Sequence, residues 1–205
     1  KVLVILEVAA GKLRPHCLPG ITAGAQIAAK TGGELQLLVL GAEPAQAAQA
    51  IAQAGYGASA VLTLAAPGLE PFTAEAWGDA IVHAVKTTGA TVVGGSASST
   101  LRDALPRAAA LLDAPLVSDV VQVKSANVFT RPISAGRALL DVQTNAPIVC
   151  FTARGTEFEP AQPGQAVGVS PLPAPTVNAR GVQVKGVQKT ESSRPALTEA
   201  KVVVS

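Results

Sequence analysis

The sequence is short of the residues on which most active-site chemistry depends. Only two histidines, His16 and His83, and two cysteines, Cys17 and Cys150, occur among 205 residues. The cysteines stand far apart, with no Cys-x-x-Cys and no histidine cluster. That excludes a zinc site of ordinary ligand spacing and marks both as free thiols packed as small apolar groups. A serine or cysteine nucleophile needs a base beside it, and neither histidine lies in such a motif. His83, in "WGDAIVHAVKTTG", falls at helical spacing and reads as structural. Asp79, Asp103, Asp113 and Asp119 occupy helix or strand positions where capping or solvation is the ordinary explanation.

Charge is scarce as well. Sixteen basic residues against fourteen acidic ones leave +2, too little and too scattered to neutralise phosphates, so nucleic acid is excluded as a partner. A composition of 48% hydrophobic and 15% charged residues argues against disorder. A surface so thin in charge implies that part of it meets another protein. No apolar run reaches the length of about eighteen residues that a membrane span needs. Glu7 interrupts "KVLVILEVAAGK" before a signal-type core is complete, so the start reads as a strand of an intracellular chain.

What the sequence does have is alternation. "KVLVILEVA" (1–9), "ELQLLVLG" (34–41), "SAVLTLA" (59–65) and "ATVVGGSASST" (90–100) read as strands. Between them lie helices expected over 21–31, 43–55 and from Thr73 onward, with a fourth over 101–113. Gly32-Gly33 and Gly55 supply helix ends, Pro44 a first turn and Thr73 an N-cap. This is the pattern of βαβ units around a parallel sheet, an α/β chain with a Rossmann-like sheet flanked by helices. Beyond Pro115, "LVSDVVQVKS", "NVFTRPISAG", "RALLDVQTN" and "PIVCFTARGTEF" follow one another with no helix between them, which predicts additional, largely antiparallel strands. Residues 159–181 read as an extended arm rich in proline and glycine, 182–190 as one more strand, and "ESSRPALTEA" as a linker.

Two places could carry chemistry. In "VVGGSASST" a strand opens into glycines and hydroxyl residues ahead of a helix, so Gly94, Gly95, Ser96, Ser98 and Ser99 form a candidate phosphate loop. The Walker lysine and the Gly-x-Gly-x-x-Gly pattern are both missing, and a structural turn explains the same residues. The second place is the arginine set Arg131, Arg137 and Arg154, which could pair with a partner's carboxylates or form surface ion pairs. Asp103 and Arg107, four apart, could pair on one helix face, with Pro106 distorting that helix.

Four ordered blocks carry a resemblance: "STLRDALPRAAALLDAPLVSDV" (99–120), "FTRPISAGRALLDVQT" (129–144), "IVCFTARGTEFEPA" (148–161) and "KTESSRPALTEAKVVVS" (189–205). Together they resemble the N-terminal domain of the electron transfer flavoprotein α subunit over essentially the whole chain. The sequence departs from the family at Ser134 and Arg137, where an aromatic residue and an asparagine are common, and at "VAAG" after the first strand. The resemblance implies an adenine nucleotide alpha hydrolase-like fold for residues 1–190. It implies that 191–205 are a linker and the first strand, "KVVVS", of an FAD-binding domain that the chain lacks. An unpaired terminal strand is a sticky edge that frays or recruits another chain, so residues after about Glu191 are expected to be mobile or ordered only by a neighbour. The family's flavin-contacting motifs would then lie beyond Ser205, so the resemblance places no FAD-binding residue on this sequence. FAD would belong to the complete heterodimer and not to this chain alone. The partners implied are a β subunit and, through the complete complex, acyl-CoA dehydrogenases and a quinone oxidoreductase. The location implied is a bacterial cytoplasm or a mitochondrial matrix. The chain itself would be an electron-carrier subunit with no catalytic residues, important for fatty acid β-oxidation. A stand-alone adenine-nucleotide-binding module using the 94–100 loop is the alternative, since the related β subunit holds AMP.

Overall fold

Five consecutive apolar residues, Val2–Leu6, form β1, and all five are buried. A run buried on both faces is what the centre of a parallel sheet demands. A short antiparallel pair follows, β2 (Val8–Ala9) with β3 (Lys12–Leu13). The chain then alternates through α1 (Leu18–Thr31), β4 (Leu35–Gly41), α2 (Ala45–Ala54), β5 (Ala60–Ala65), α3 (Ala74–Thr88), β6 (Val92–Ser96) and α4 (Ser99–Leu111). The second half comprises β7 (Leu116–Val120), β8 (Gln122–Val123), β9 (Val128–Ile133), β10 (Ala138–Gln143), β11 (Val149–Ala153) and β12 (Val169–Pro171). The computed structural model describes residues 1–178, 180–188, 200 and 202–204.

Seven strands form one parallel sheet in the order β12-β5-β4-β1-β6-β11-β7. Successive residues of a strand point to opposite faces, and β1 divides the core accordingly. Val2, Val4 and Leu6 join Ile21, Ile27 and Ile51 of α1 and α2 on one face. Leu3 and Ile5 join Trp77, Ile81 and Leu105 of α3 and α4 on the other. Trp77 is fixed by an edge-on contact with Phe72, ring centroids 5.4 Å apart, and by its indole N–H donating to Leu69 O at 3.1 Å. Both cysteines are free and buried. Burial pushes the Cys150 thiol up to about 12, so it stays protonated and unreactive.

Several expected boundaries move. α1 begins at Leu18, not at residue 21, because proline is tolerated in a first helical turn and Gly20 permits close packing. A Cβ at Gly20 would lie 2.4 Å from Ser96 N. The second half is not uniformly antiparallel. β7 and β11 enter the main parallel sheet, and only β8, β9 and β10 form an antiparallel sheet. Pro106 lies inside α4 without ending it, and Arg107 does not pair with Asp103. It reaches across to Asp79 of α3 at 3.4 Å. The expected strand over 182–190 is absent from 182–188, and residues 189 and 190 lie outside the described residues. Val202, Val203 and Val204 are exposed and unpaired among the described residues; Lys201 and Ser205, the ends of the strand expected at "KVVVS", lie outside them. Ser205, beyond which the flavin motifs are expected, lies outside the described residues. The rest of the linker and final strand expected over 191–205, apart from residue 200, lies outside them too, as does the test of its mobility.

The arm after β11 binds both faces of the sheet. It leaves α1 through Thr22 Oγ1 donating to Glu159 O at 2.7 Å, then passes α2 through Val167 N to Ala52 O at 2.9 Å. It adds β12 to the edge of β5 and turns over α3. There His83 Nε2 donates to Pro173 O at 3.0 Å, and Asn178 N donates to Asp79 Oδ2 at 3.2 Å. Asp79 therefore joins Arg107 of α4, and at 3.8 Å Arg180, to the returning chain. Replacing Asp79 with alanine should cost about 1.5 to 3 kcal/mol, the range for hydrogen bonds to charged groups. It should also deprotect the Asn178 amide in hydrogen exchange. Unchanged protection there would show that Asp79 does not hold the arm.

Candidate functional site

In an open α/β sheet the ligand crevice lies outside the carboxyl ends of the strands, where the strand order reverses. Here that point falls between β1 and β6. The residues leaving those strands, Glu7 and Ser96 to Thr100, line a crevice of about 300 Å³ together with Arg14, His16 and Gly155. Sequence-level reasoning located the β6 side of it and missed the β1 side.

Glu7 is nearly buried, with a relative accessibility of 9%, and its carboxylate sits at the start of α4. The Ser98 hydroxyl donates to Glu7 Oε1 in a short hydrogen bond. The same oxygen of Ser98 accepts from Leu101 N at 3.1 Å, so Ser98 is also the N-cap of α4. His16 Nε2 lies 3.3 Å from Glu7 Oε1. The ring nitrogen is not aligned on that oxygen for a hydrogen bond, so the contact is an ion pair. The Cys17 sulfur approaches the Glu7 backbone and accepts from its N–H at 3.3 Å.

These contacts decide the charges. Burial works to raise the Glu7 carboxyl, but His16 and the Ser98 hydroxyl outweigh it and hold the group below the ordinary carboxylate value. The Cys17 sulfur and the Glu7 carboxylate push His16 up to about 10 against the opposing effect of burial. At neutral pH the crevice holds a carboxylate and an imidazolium. Glu7 stands between His16 and Ser98, so His16 has no contact through which to take the Ser98 proton, and the order is not that of a nucleophilic triad. Among the described residues no group of three or more His, Cys, Asp or Glu is placed to hold a metal ion.

The other candidate residues have structural surroundings. Gly94 and Gly95 are buried within β6. A Cβ at Gly94 would lie 2.0 Å from Phe151 O, and one at Gly95 would lie 2.6 Å from Leu101 and 2.8 Å from Ile5 O, so packing accounts for both glycines. Ser96 Oγ accepts from Gly20 N at 3.0 Å, and Ser99 lines the crevice. Arg131 donates to Ser118 O at 2.9 Å and to Ser118 Oγ at 3.0 Å. Arg154 and Arg102 both pair with Asp119, at 2.5 and 3.2 Å, and hold its carboxyl below the ordinary value against burial, Arg154 foremost. Arg137 is exposed, and its side chain makes no hydrogen bond or ion pair among the described residues.

A family profile described as "Electron transfer flavoprotein domain" matches residues 2–188. The chain belongs to the electron transfer flavoprotein family. It is 36% identical to the protein named probable electron transfer flavoprotein subunit alpha, mitochondrial, of Caenorhabditis elegans, over 99% of this chain and 60% of that one. It is 34% identical to the electron transfer flavoprotein subunit alpha of Pseudomonas aeruginosa, over 85% of this chain and 55% of that one. The chain thus spans rather more than half the length of these curated relatives. Among the described residues no helix is long and apolar enough to cross a membrane.

The family name implies a flavin, and the crevice does not fit a flavin dinucleotide. The pyrophosphate of such a cofactor takes its place at a helix N-terminus, and here that place holds an ionised glutamate. The volume of about 300 Å³ is also at the lower limit of ordinary ligand pockets.

The charge pair sets a pH profile. His16, with a folded-state pKa raised from 6.5 to about 10, contributes stability that is complete below pH 6.5 and is lost as the pH climbs toward 10. Glu7, with a lowered pKa, contributes stability that is present above its ordinary 4.5 and is lost as the pH falls through the lowered value. The pair therefore stabilises most fully between pH 4.5 and 6.5. Thermal unfolding of the wild type and of His16→Gln, compared across pH 5 to 10 (about the window just derived), should show the variant's deficit shrinking on the alkaline side. A deficit independent of pH would mean that His16 is neutral throughout.

Proposed function

We propose that this chain is the scaffold lobe of an electron transfer flavoprotein α subunit. It pairs with a β subunit in a complex whose FAD receives electrons from acyl-CoA dehydrogenases and related enzymes and passes them to a quinone oxidoreductase. On this reading the FAD-contacting motifs belong to sequence beyond Ser205, and the lobe described here binds none of the flavin by itself. The family match over residues 2–188 carries the reading, and the α-subunit names of the relatives support it. The crevice supports a non-catalytic role, because Glu7 stands between His16 and Ser98 and no base there is aimed at a nucleophile. In a eukaryote the complex would work in the mitochondrial matrix, and in a bacterium in the cytoplasm.

The surface favours a partner on the side of the antiparallel sheet. β10 is an edge strand, and it exposes Leu139 at 67% and Leu140 at 44%. Beside it an open groove of about 780 Å³ runs toward α1, lined in part by Val121, Val123 and Phe158. Leu139 lines that groove, and an exposed apolar side chain set beside further apolar lining marks an interaction surface. Of the three candidate arginines, Arg131 and Arg154 are committed to β7, and Arg137 is the one able to meet a partner's acid. We assign Arg137 to the rim of the β-subunit interface and leave Arg131 and Arg154 as internal supports of β7.

Two measurements test this. Intact mass with a visible spectrum should give the 205-residue chain without a flavin band near about 450 nm, the region of bound flavin. A stoichiometric band would overturn the scaffold assignment. In the second, the chain mixed with a purified electron transfer flavoprotein β subunit should elute with it. Arg137→Glu should weaken that complex about 5- to 30-fold, as a reversed rim charge does, while leaving the melting temperature unchanged. Full affinity in the variant would remove Arg137 from the interface.

A further inference from the structure

We propose that the Glu7 carboxylate is an internal substitute for a ligand phosphate. It fills the anion seat at the start of α4, so the lobe takes no nucleotide there, and removing its side chain opens the seat to a free oxyanion of phosphate size. The inference goes beyond the electron-carrier reading and does not depend on it.

The position is the first argument. Glu7 follows β1 directly and α4 follows β6, so the carboxylate lies at the point of strand-order reversal where a bound phosphate is expected. The partners are the second. α4 runs for 13 residues from Ser99, and its first-turn N–H groups have no acceptor within the helix. A phosphate in that place draws on a hydroxyl, a cation and the positive end of the helix. Glu7 already has the first two, in Ser98 and His16, and Ser98 places it beside the third as the N-cap of α4. Space is the third argument. The crevice that continues outward from Glu7 measures about 300 Å³ and is lined by Ser99 and Thr100, enough for a phosphate once the carboxylate and its stem are gone. The other charged or titratable groups at the crevice are Arg14, which lines it, and Cys17, behind the Glu7 backbone.

Charge and volume can be separated by two substitutions in the full chain. Glu7→Ala removes both, and Glu7→Gln removes the charge and keeps the side chain in place. With inorganic phosphate against chloride at equal ionic strength, the melting temperature of Glu7→Ala should rise by about 3 °C or more, the size expected for a site held near saturation in a domain this large. The wild type and Glu7→Gln should not move. Saturable stabilisation of the wild type by phosphate or AMP would overturn the proposal, and so would a folded Glu7→Ala protein indifferent to phosphate. If Glu7→Ala folds only when phosphate is present, that supports the proposal. If it does not fold at all, the wild type still decides. Its Ser99 and Thr100 amide resonances should follow protonation of the Glu7 carboxyl, and amides that ignore it would show that the carboxylate is not seated on them. None of these outcomes alters the flavin spectrum, so this proposal and the scaffold reading fail separately.

Discussion

Everything in this chain is arranged around a strand that water cannot reach. β1 is buried on both faces and paired on both edges, to β4 on one side and β6 on the other. That pairing forces the sheet to grow in two directions, and wherever it does so the strand ends diverge and leave a crevice. The first residue able to carry a charge after such a strand must emerge inside that crevice. In this sequence the residue is Glu7. Its cost of burial is met by groups brought from elsewhere in the chain: His16 from the turn before α1, and Ser98 from the cap of α4.

The same constraint explains the glycines. α1 and α4 must approach β6 closely enough to close the crevice around Glu7, and side chains at Gly20, Gly94 or Gly95 would collide with Ser96, Phe151 or Ile5. A glycine-rich strand end is usually read as room for a ligand backbone contact. Here the room is used by the protein itself, since one helix rests on Gly95 through Leu101 and another places Gly20 against Ser96. The small residues and the carboxylate belong to one solution, a crevice closed from within.

The parallel half of the fold was readable because each strand and helix carries its own signal. Buried runs such as 2–6 and 35–41 and capping residues such as Thr73, whose side chain does accept from Ala76 N, act locally. Strand direction does not. Nothing within "LVSDV" or "VCFTA" says that they lie parallel, although the unbroken burial of Val149–Ala153 matches that of β1 and differs from the exposed β10. The segment 182–188 has the alternation of a strand but lacks a neighbour to pair with among the described residues, and composition alone cannot supply one. In the crevice, the serines after β6 were legible from a strand-to-helix turn. Glu7 was legible only as an interruption of an apolar run, because its meaning depends on two residues 9 and 91 positions away.

The arginines show how structure redistributes a charge pattern. In sequence, Arg131, Arg137 and Arg154 look equivalent, yet they answer to different demands. Asp119 sits at a positive φ of 62°, a conformation costly for a residue with a side chain. Arg154 and Arg102 hold it there from two sides, and Thr152 accepts its N–H. Arg131 ties the neighbouring Ser118 to β9. Arg137 follows the turn at 134–136, where three successive residues have positive φ, and its side chain is uncommitted among the described residues. Arg137 breaks no bond within its own lobe when it meets a carboxylate, so the whole of a charge-assisted contact is available to an interface, less the freedom its long side chain gives up.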